Sequence, residues 1–190
     1  MKGSALRAFA AALLLPSTTS FPARADTTPD ERVHTSERFA FTAQAPYTEV
    51  FPLFGALQEK AWAPGWIPDF VWPRPATDCA GMVFRIAQEG RVATWVATAF
   101  DQAAGRVQYV YVVPDVMVTL ITLTVLDRGP TTDVQVQYDR TSLASRADDL
   151  VSGMATNDRH AGPEWAEQIN AYLARAVRGP HPAGHTMPCQ

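Results

Sequence analysis

A group of aromatic side chains is spread along the chain at positions that could surround an apolar molecule. They are Phe54, Trp62, Trp66, Trp95, Tyr109, Tyr111, Tyr138 and Trp165. Indole and phenol rings stack on apolar ligands, and each Trp or Tyr adds one polar group that orients a ligand. Packing in a solid core is the alternative for any one of them, because aromatic residues are mostly buried.

One carboxylic acid, Glu59, stands close in sequence to Trp62 and Trp66. A carboxyl group held against indole rings has a raised pKa, so it can donate a proton or bind the polar head of a ligand. Alternatively, Glu59 is a solvated residue at a helix end, paired with Lys60 or an arginine. We take Glu59 and the aromatic group together as the candidate ligand-binding residues.

Three arginines, Arg85, Arg91 and Arg140, fall in segments that read as strands. An inward guanidinium would bind a ligand carboxylate through two hydrogen bonds. Arg140 shares the strand face of Val134 and Val136, which directs it towards the core. The alternative is an exposed strand end.

The sequence has no motif that supports metal, nucleotide or redox chemistry. His181, His185 and Cys189 are ligand types, but they lie in a Pro/Gly-rich tail that fixes no geometry. The chain has no G-x-S-x-G nucleophile motif, no Gly-rich phosphate loop and no C-x-x-C pair. We therefore predict no metal, no cofactor and no assigned catalytic residue. Cys79 and Cys189 either form one disulfide or remain two separate thiols.

The first 25 residues have the pattern of an export signal. Lys2 and Arg7 precede an apolar run over residues 8–15, and Ala23-Arg24-Ala25 forms a small-residue cleavage site. The run is too short to span a bilayer. We expect cleavage near Ala25 and a periplasmic or secreted protein. The further divisions are a flexible leader over 26–35, one domain over 36–178 and a flexible tail over 179–190.

Charge excludes two classes of partner. The signal removes three of the 16 Lys and Arg residues and none of the 19 acids, which leaves the mature chain at −6. An acidic chain without a basic cluster is a poor nucleic-acid binder. The same balance disfavours anionic lipid surfaces.

The candidate residues would be positioned first by a strand over 38–44 and a helix over 48–62. Thr48 would cap this helix, and Pro52 must lie near its first turn or kink it. A proline-rich stretch to residue 75 excludes regular helix. Strands follow over 81–88, 91–100, 107–113, 116–126 and 131–141. Residues 107–126 are apolar enough to suggest a membrane span, but Pro114-Asp115 in their middle predicts a hairpin. A short helix over 145–155 and an amphipathic helix from Gly162 to Gly179 close the domain.

These segments resemble the SRPBCC superfamily, the START-like or Bet v 1-like helix-grip proteins that include polyketide cyclase/dehydrase and lipid-transport members. The resemblance spans residues 34–177. It is carried by Ala45-Pro46, residues 49–54, 59–66, 94–96 and 132–138, Thr141, and the helix around Trp165. It implies an α+β fold in which a curved antiparallel sheet of about six or seven strands surrounds a long C-terminal helix. It also implies a cavity for a hydrophobic small molecule.

Three functions are compatible with this reading. The first is an exported, non-enzymatic domain that binds a lipid-like or aromatic molecule in an internal cavity. The second is a polyketide cyclase/dehydratase-like or hydrolase-like enzyme on the same fold, with Glu59 or Tyr138 as its proton-transfer group. The third is an envelope protein-interaction module without a ligand, which predicts a solid core and an exposed apolar patch. The sequence predicts no transmembrane segment in the mature chain and does not indicate the ligand or the oligomeric state.

Overall fold

The structure, a computed structural model, describes residues 31–88 and 90–176. Its described part contains one antiparallel sheet of seven strands in the spatial order β1-β7-β6-β5-β4-β3-β2. The strands are β1 (His34–Ala43), β2 (Asp69–Trp72), β3 (Val83–Gln88), β4 (Arg91–Asp101), β5 (Arg106–Val113), β6 (Met117–Asp127) and β7 (Thr132–Ser142). Curvature of this sheet around a C-terminal helix confirms the predicted α+β helix-grip class.

Alternation along the central strands gives the sheet one dry face. In β6, every second residue from Met117 to Val125 is buried, and the residues that alternate with them are more exposed. The β5–β6 hairpin turns at Asp115, which has a left-handed φ of 57°. The predicted hairpin is therefore confirmed. Within the described residues, no helix has the length and apolarity needed to cross a membrane.

The single helix predicted over 48–62 is wrong. The structure instead has α1 (Tyr47–Val50), a 3-10 turn (Phe51–Phe54) and α2 (Ala56–Glu59), and α1 is capped by Pro46 rather than Thr48. Gly55 is extended, with φ −78° and ψ 143°, and interrupts the helix. A Cβ at Gly55 would overlap the carboxylate of Asp78, whose Oδ1 accepts a hydrogen bond from the Leu57 N–H at 3.1 Å. A side chain from another segment therefore enforces the break.

Several other strands and helices begin or end at residues different from those predicted. β1 begins at His34, inside the predicted leader, because it pairs with β7 over its whole length. β2 forms within the stretch predicted to be irregular, as an edge strand paired to β3, where prolines beside it are tolerated. The helix predicted over 145–155 is a 3-10 turn (Ser145–Ala147) followed by the longer α3 (Asp148–His160).

The closing helix, α4 (Gly162–Ala176), packs its apolar side onto the dry face. Ile169 and Leu173 are buried, and the Trp165 ring meets Phe39 edge-on with ring centroids 5.4 Å apart. The predicted signal (1–25) and tail (179–190), with His181, His185 and Cys189, lie outside the described residues. Cys79 is buried and not free, and its pairing with Cys189 stays a prediction.

Candidate functional site

A cavity of about 60 Å³ lies between the dry face of the sheet, α4 and the segment that contains α2. Every strand from β4 to β7 contributes to its wall. The lining residues are Phe54, Glu59, Trp66, Trp95, Tyr109, Ile121, Leu123, Tyr138 and Trp165. Seven of these are among the nine candidates chosen from the sequence, so residues up to 111 positions apart converge on one space.

The segment after α2 is fastened by its own indole groups. Trp66 Nε1–H donates to the Ala56 carbonyl at 2.9 Å, which holds the Trp66 ring at the cavity wall. Trp62 Nε1–H donates to the Leu53 carbonyl at 2.7 Å. The structure places Trp62 behind the wall, where its ring contacts Trp165 at 5.2 Å between centroids. Trp62 therefore supports the cavity without lining it.

Two tyrosines on β5, two residues apart, have different surroundings. Tyr109 lines the cavity and donates from its hydroxyl to the Phe54 carbonyl at 2.9 Å. Tyr111 does not line it. Its ring stacks on Trp95 with centroids 4.2 Å apart, and its hydroxyl is hydrogen-bonded to the Arg140 guanidinium.

Ile121 and Leu123 on β6 complete the wall and were absent from the candidates. Their aliphatic side chains lack the rings that define the aromatic group. The alternation of β6 contained the necessary signal, because both residues fall on its buried face.

Glu59 is the carboxylic acid of the cavity wall, and it is half-buried. Among the described residues, its carboxyl has no hydrogen bond and no ion pair. Burial raises the pKa of Glu59 well above its usual value, and the nearby Asp78 carboxylate raises it further. The alternative pairing with Lys60 is wrong, because Lys60 Nζ lies over the Phe70 ring at 5.0 Å.

Asp78 approaches the same region from the segment before β3. Burial raises its pKa to about 6, although the N–H groups of Leu57 and Ala56 partly offset this by hydrogen bonding to the carboxylate. The fields of both carboxylates also contribute, after burial, to a raised pKa of Tyr109. The three groups therefore form one electrostatically coupled cluster beside the cavity.

Two further polar groups of the wall lack partners among the described residues. The Trp95 indole N–H is buried without an acceptor. The Tyr138 hydroxyl makes no hydrogen bond, and burial raises the pKa of Tyr138 despite the Arg140 guanidinium 4.5 Å from its ring centroid. Buried polar groups are normally satisfied. Such groups around a cavity indicate a place for water or for polar atoms of a ligand.

Arg140 is neither an exposed strand end nor a free anchor for a ligand carboxylate. It is buried, and its Nε and Nη2 donate to the two carboxylate oxygens of Asp158 at 2.6 and 2.8 Å. Its Nη1 donates to Thr119 at 3.1 Å and also contacts Tyr111. Arg85 and Arg91 are exposed. The arginine-anchor interpretation therefore receives no support from any of the three positions. Within the described residues, no cluster of His, Cys, Asp or Glu could hold a metal ion.

Solved structures share this architecture. Norcoclaurine synthase from Thalictrum flavum, in complex with dopamine and hydroxybenzaldehyde, is 11% identical, with a TM-score of 0.58 over 90% of this chain and 99% of that one. Ara h 8.0201 is 11% identical, with a TM-score of 0.54 over 75% of this chain and 99% of that one. A protein from Rhizobium loti is 16% identical, with a TM-score of 0.55 over 75% of this chain and 99% of that one.

The chain has the Bet v 1-like fold. No protein-family model matches the chain, and no curated protein matches it. At these identities the likeness establishes the Bet v 1-like architecture alone. The chemistry of the site must be argued from the residues of this chain.

The Asp78 carboxyl makes stability depend on pH. The pKa of Asp78 is higher in the folded protein than in the unfolded chain. The stabilisation that this carboxyl contributes is therefore fully present below about pH 4 and is lost as pH rises through about 6. Asp78→Asn keeps an oxygen for the Leu57 N–H. Between pH 4 and pH 8, we expect the free energy of unfolding of this variant to rise by about 2 kcal/mol relative to that of wild type. Urea unfolding at both pH values measures this difference. The exposed Asp69→Asn is the control, and an Asp78→Asn difference as small as its own would contradict the assignment.

Proposed function

We propose that this protein binds a small hydrophobic molecule in its internal cavity and that it does so after export. The observation that carries the proposal is the cavity itself, lined by rings from the sheet, α4 and the α2 segment. Apolar concave sites with a few polar groups are the usual form of small-molecule sites. An interaction module with a solid core would have no such space.

Size restricts the ligand. A volume of 60 Å³ is room for roughly five water molecules, whereas pockets for drug-sized ligands begin at about 300 Å³. All the space here that protein atoms do not fill, open solvent included, is about 370 Å³. The enclosed part of the ligand is therefore one ring or one short chain end, and any larger remainder lies in the mouth.

Burial of apolar surface alone gives too little binding free energy for tight binding, so polar contacts must add to it. One aromatic ring buries about 150 Å² of surface, which is worth about 4 kcal/mol and corresponds to millimolar affinity. Tighter binding requires hydrogen bonds or charge pairing with the unpartnered groups of Glu59, Tyr138 and Trp95. An aromatic ligand is supported further by norcoclaurine synthase, whose structure contains dopamine and hydroxybenzaldehyde.

The second candidate function is catalysis on the same site. Glu59 and Tyr138 line one cavity, and the field of the Glu59 carboxylate contributes to the raised pKa of Tyr138. A carboxyl group whose pKa is raised can act as a general acid. Loss of turnover in a Glu59→Gln variant that keeps its fold would favour a cyclase/dehydratase-like or hydrolase-like enzyme over a carrier.

The experiment for the first candidate expresses the full chain in a Gram-negative host and recovers the protein from the periplasm. We expect a mature amino terminus at Asp26. We also expect native mass spectrometry to show an added small mass that organic extraction removes. A protein that remains in the cytoplasm would contradict export. Repeated ligand-free preparations that also fail to bind benzyl alcohol would contradict the carrier function.

A further inference from the structure

We propose that the cavity selects an organic ammonium ion, with its charge against Glu59 and its apolar part against the surrounding rings. This inference rests on the proposed binding function and specifies the class of ligand. It is carried by a carboxyl group and six aromatic rings that line one space.

Glu59 lies at the wall, and Asp78 acts on it from the adjacent segment. Among the described residues, neither carboxyl has an ion pair, because Lys60 lies over Phe70 and Arg140 is engaged by Asp158. The other titratable groups coupled to Glu59 are the neutral phenols Tyr109 on β5 and Tyr138 on β7. In the described part of the chain, no protein cation therefore pairs with either of these acidic groups.

Six aromatic side chains line the cavity: Phe54, Trp66, Trp95, Tyr109, Tyr138 and Trp165. The faces of such rings carry negative potential and attract cations within about 6 Å, and desolvated pairs are the stronger ones. A carboxyl group on a wall built of aromatic rings therefore complements an ammonium group better than it complements an anion or a purely apolar ligand.

A desolvated carboxylate without a cationic partner takes up a proton, since its charged form is costly in a low-dielectric site. An ammonium ligand replaces that proton, and the charge-assisted hydrogen bond then stabilises the ionised form of Glu59. Binding of a cation is consequently linked to proton release, and its affinity rises with pH. Binding of a neutral molecule of the same shape lacks this linkage.

The test compares benzylammonium with its neutral analogue benzyl alcohol by isothermal titration calorimetry of the purified protein from pH 5 to 8. We expect benzylammonium to bind at least tenfold tighter at pH 8 and its affinity to rise with pH. In two buffers of different ionisation enthalpy, it should release protons that benzyl alcohol does not. Glu59→Gln should lose the preference for benzylammonium and the proton release. The exposed Glu167→Gln should keep both.

Two outcomes would overturn the inference in different ways. If benzyl alcohol binds as tightly as benzylammonium in wild type at every pH, the ligand class is wrong and the binding function stands. If neither compound binds, the binding function fails with it. The wild-type comparison stands even if Glu59→Gln does not fold.

Discussion

Replacing Asp158 with alanine is expected to lower the free energy of unfolding by about 3 to 5 kcal/mol. Arg140 is 4% exposed, and Asp158 neutralises it through two hydrogen bonds that join α3 to β7. Without the carboxylate, the guanidinium remains buried between the Tyr111 and Tyr138 rings with no counter-charge. Such an uncompensated buried charge costs far more than the ion pair itself contributes.

Urea unfolding of two reference variants makes this expectation specific. Asp133→Ala removes the exposed pair with Arg128, whose N–O distance is 2.8 Å, and should leave the free energy of unfolding close to that of wild type. Replacing both members of the buried pair, as Arg140→Met with Asp158→Leu, should recover much of the loss. Equal losses for Asp158→Ala and Asp133→Ala would contradict the role of the buried pair.

Filling the cavity is expected to weaken ligand binding by at least about 30-fold. Leu123 on β6 is 3% exposed and lines the space, so the larger indole of Leu123→Trp would occupy the volume that a ligand ring needs. A loss of about 2 kcal/mol of binding free energy corresponds to this factor. Overpacking of the core should cost about 1 to 3 kcal/mol of stability. Calorimetry with benzyl alcohol measures the loss of binding affinity.

The matched control introduces the same side chain on the same strand, outside the cavity. Leu126 on β6 is 45% exposed and does not line the space, so Leu126→Trp should bind benzyl alcohol as wild type does. Undiminished binding in a folded Leu123→Trp variant would place the ligand elsewhere.

The sheet could be predicted from the sequence because its signals are local. The alternation of β6 and β7 and the Pro114-Asp115 turn each depend on neighbouring residues only. The break at Gly55 depends on Asp78, a residue 23 positions later, whose carboxylate occupies the space beside that glycine. No local pattern contains that contact, and Pro52 alone suggested a kink at most.

The site was predictable as a set and not residue by residue. Tyr109 and Tyr111 share one face of β5, so their spacing cannot decide which of them reaches the cavity. The difference arises because Arg140, held by Asp158 of α3, engages the Tyr111 hydroxyl. The state of Glu59 likewise depends on the distant residues that surround it, and its sequence neighbour Lys60 is directed towards Phe70.

Fluorine NMR of 5-fluorotryptophan-labelled protein reports whether the ligand enters the cavity. The chain has five tryptophans. Trp66, Trp95 and Trp165 line the cavity, while Trp72 is 43% exposed outside it. On titration with benzyl alcohol, we predict saturable shifts of the three cavity resonances and none for Trp72. Shifts confined to Trp72, or no shifts at any ligand concentration, would contradict the account.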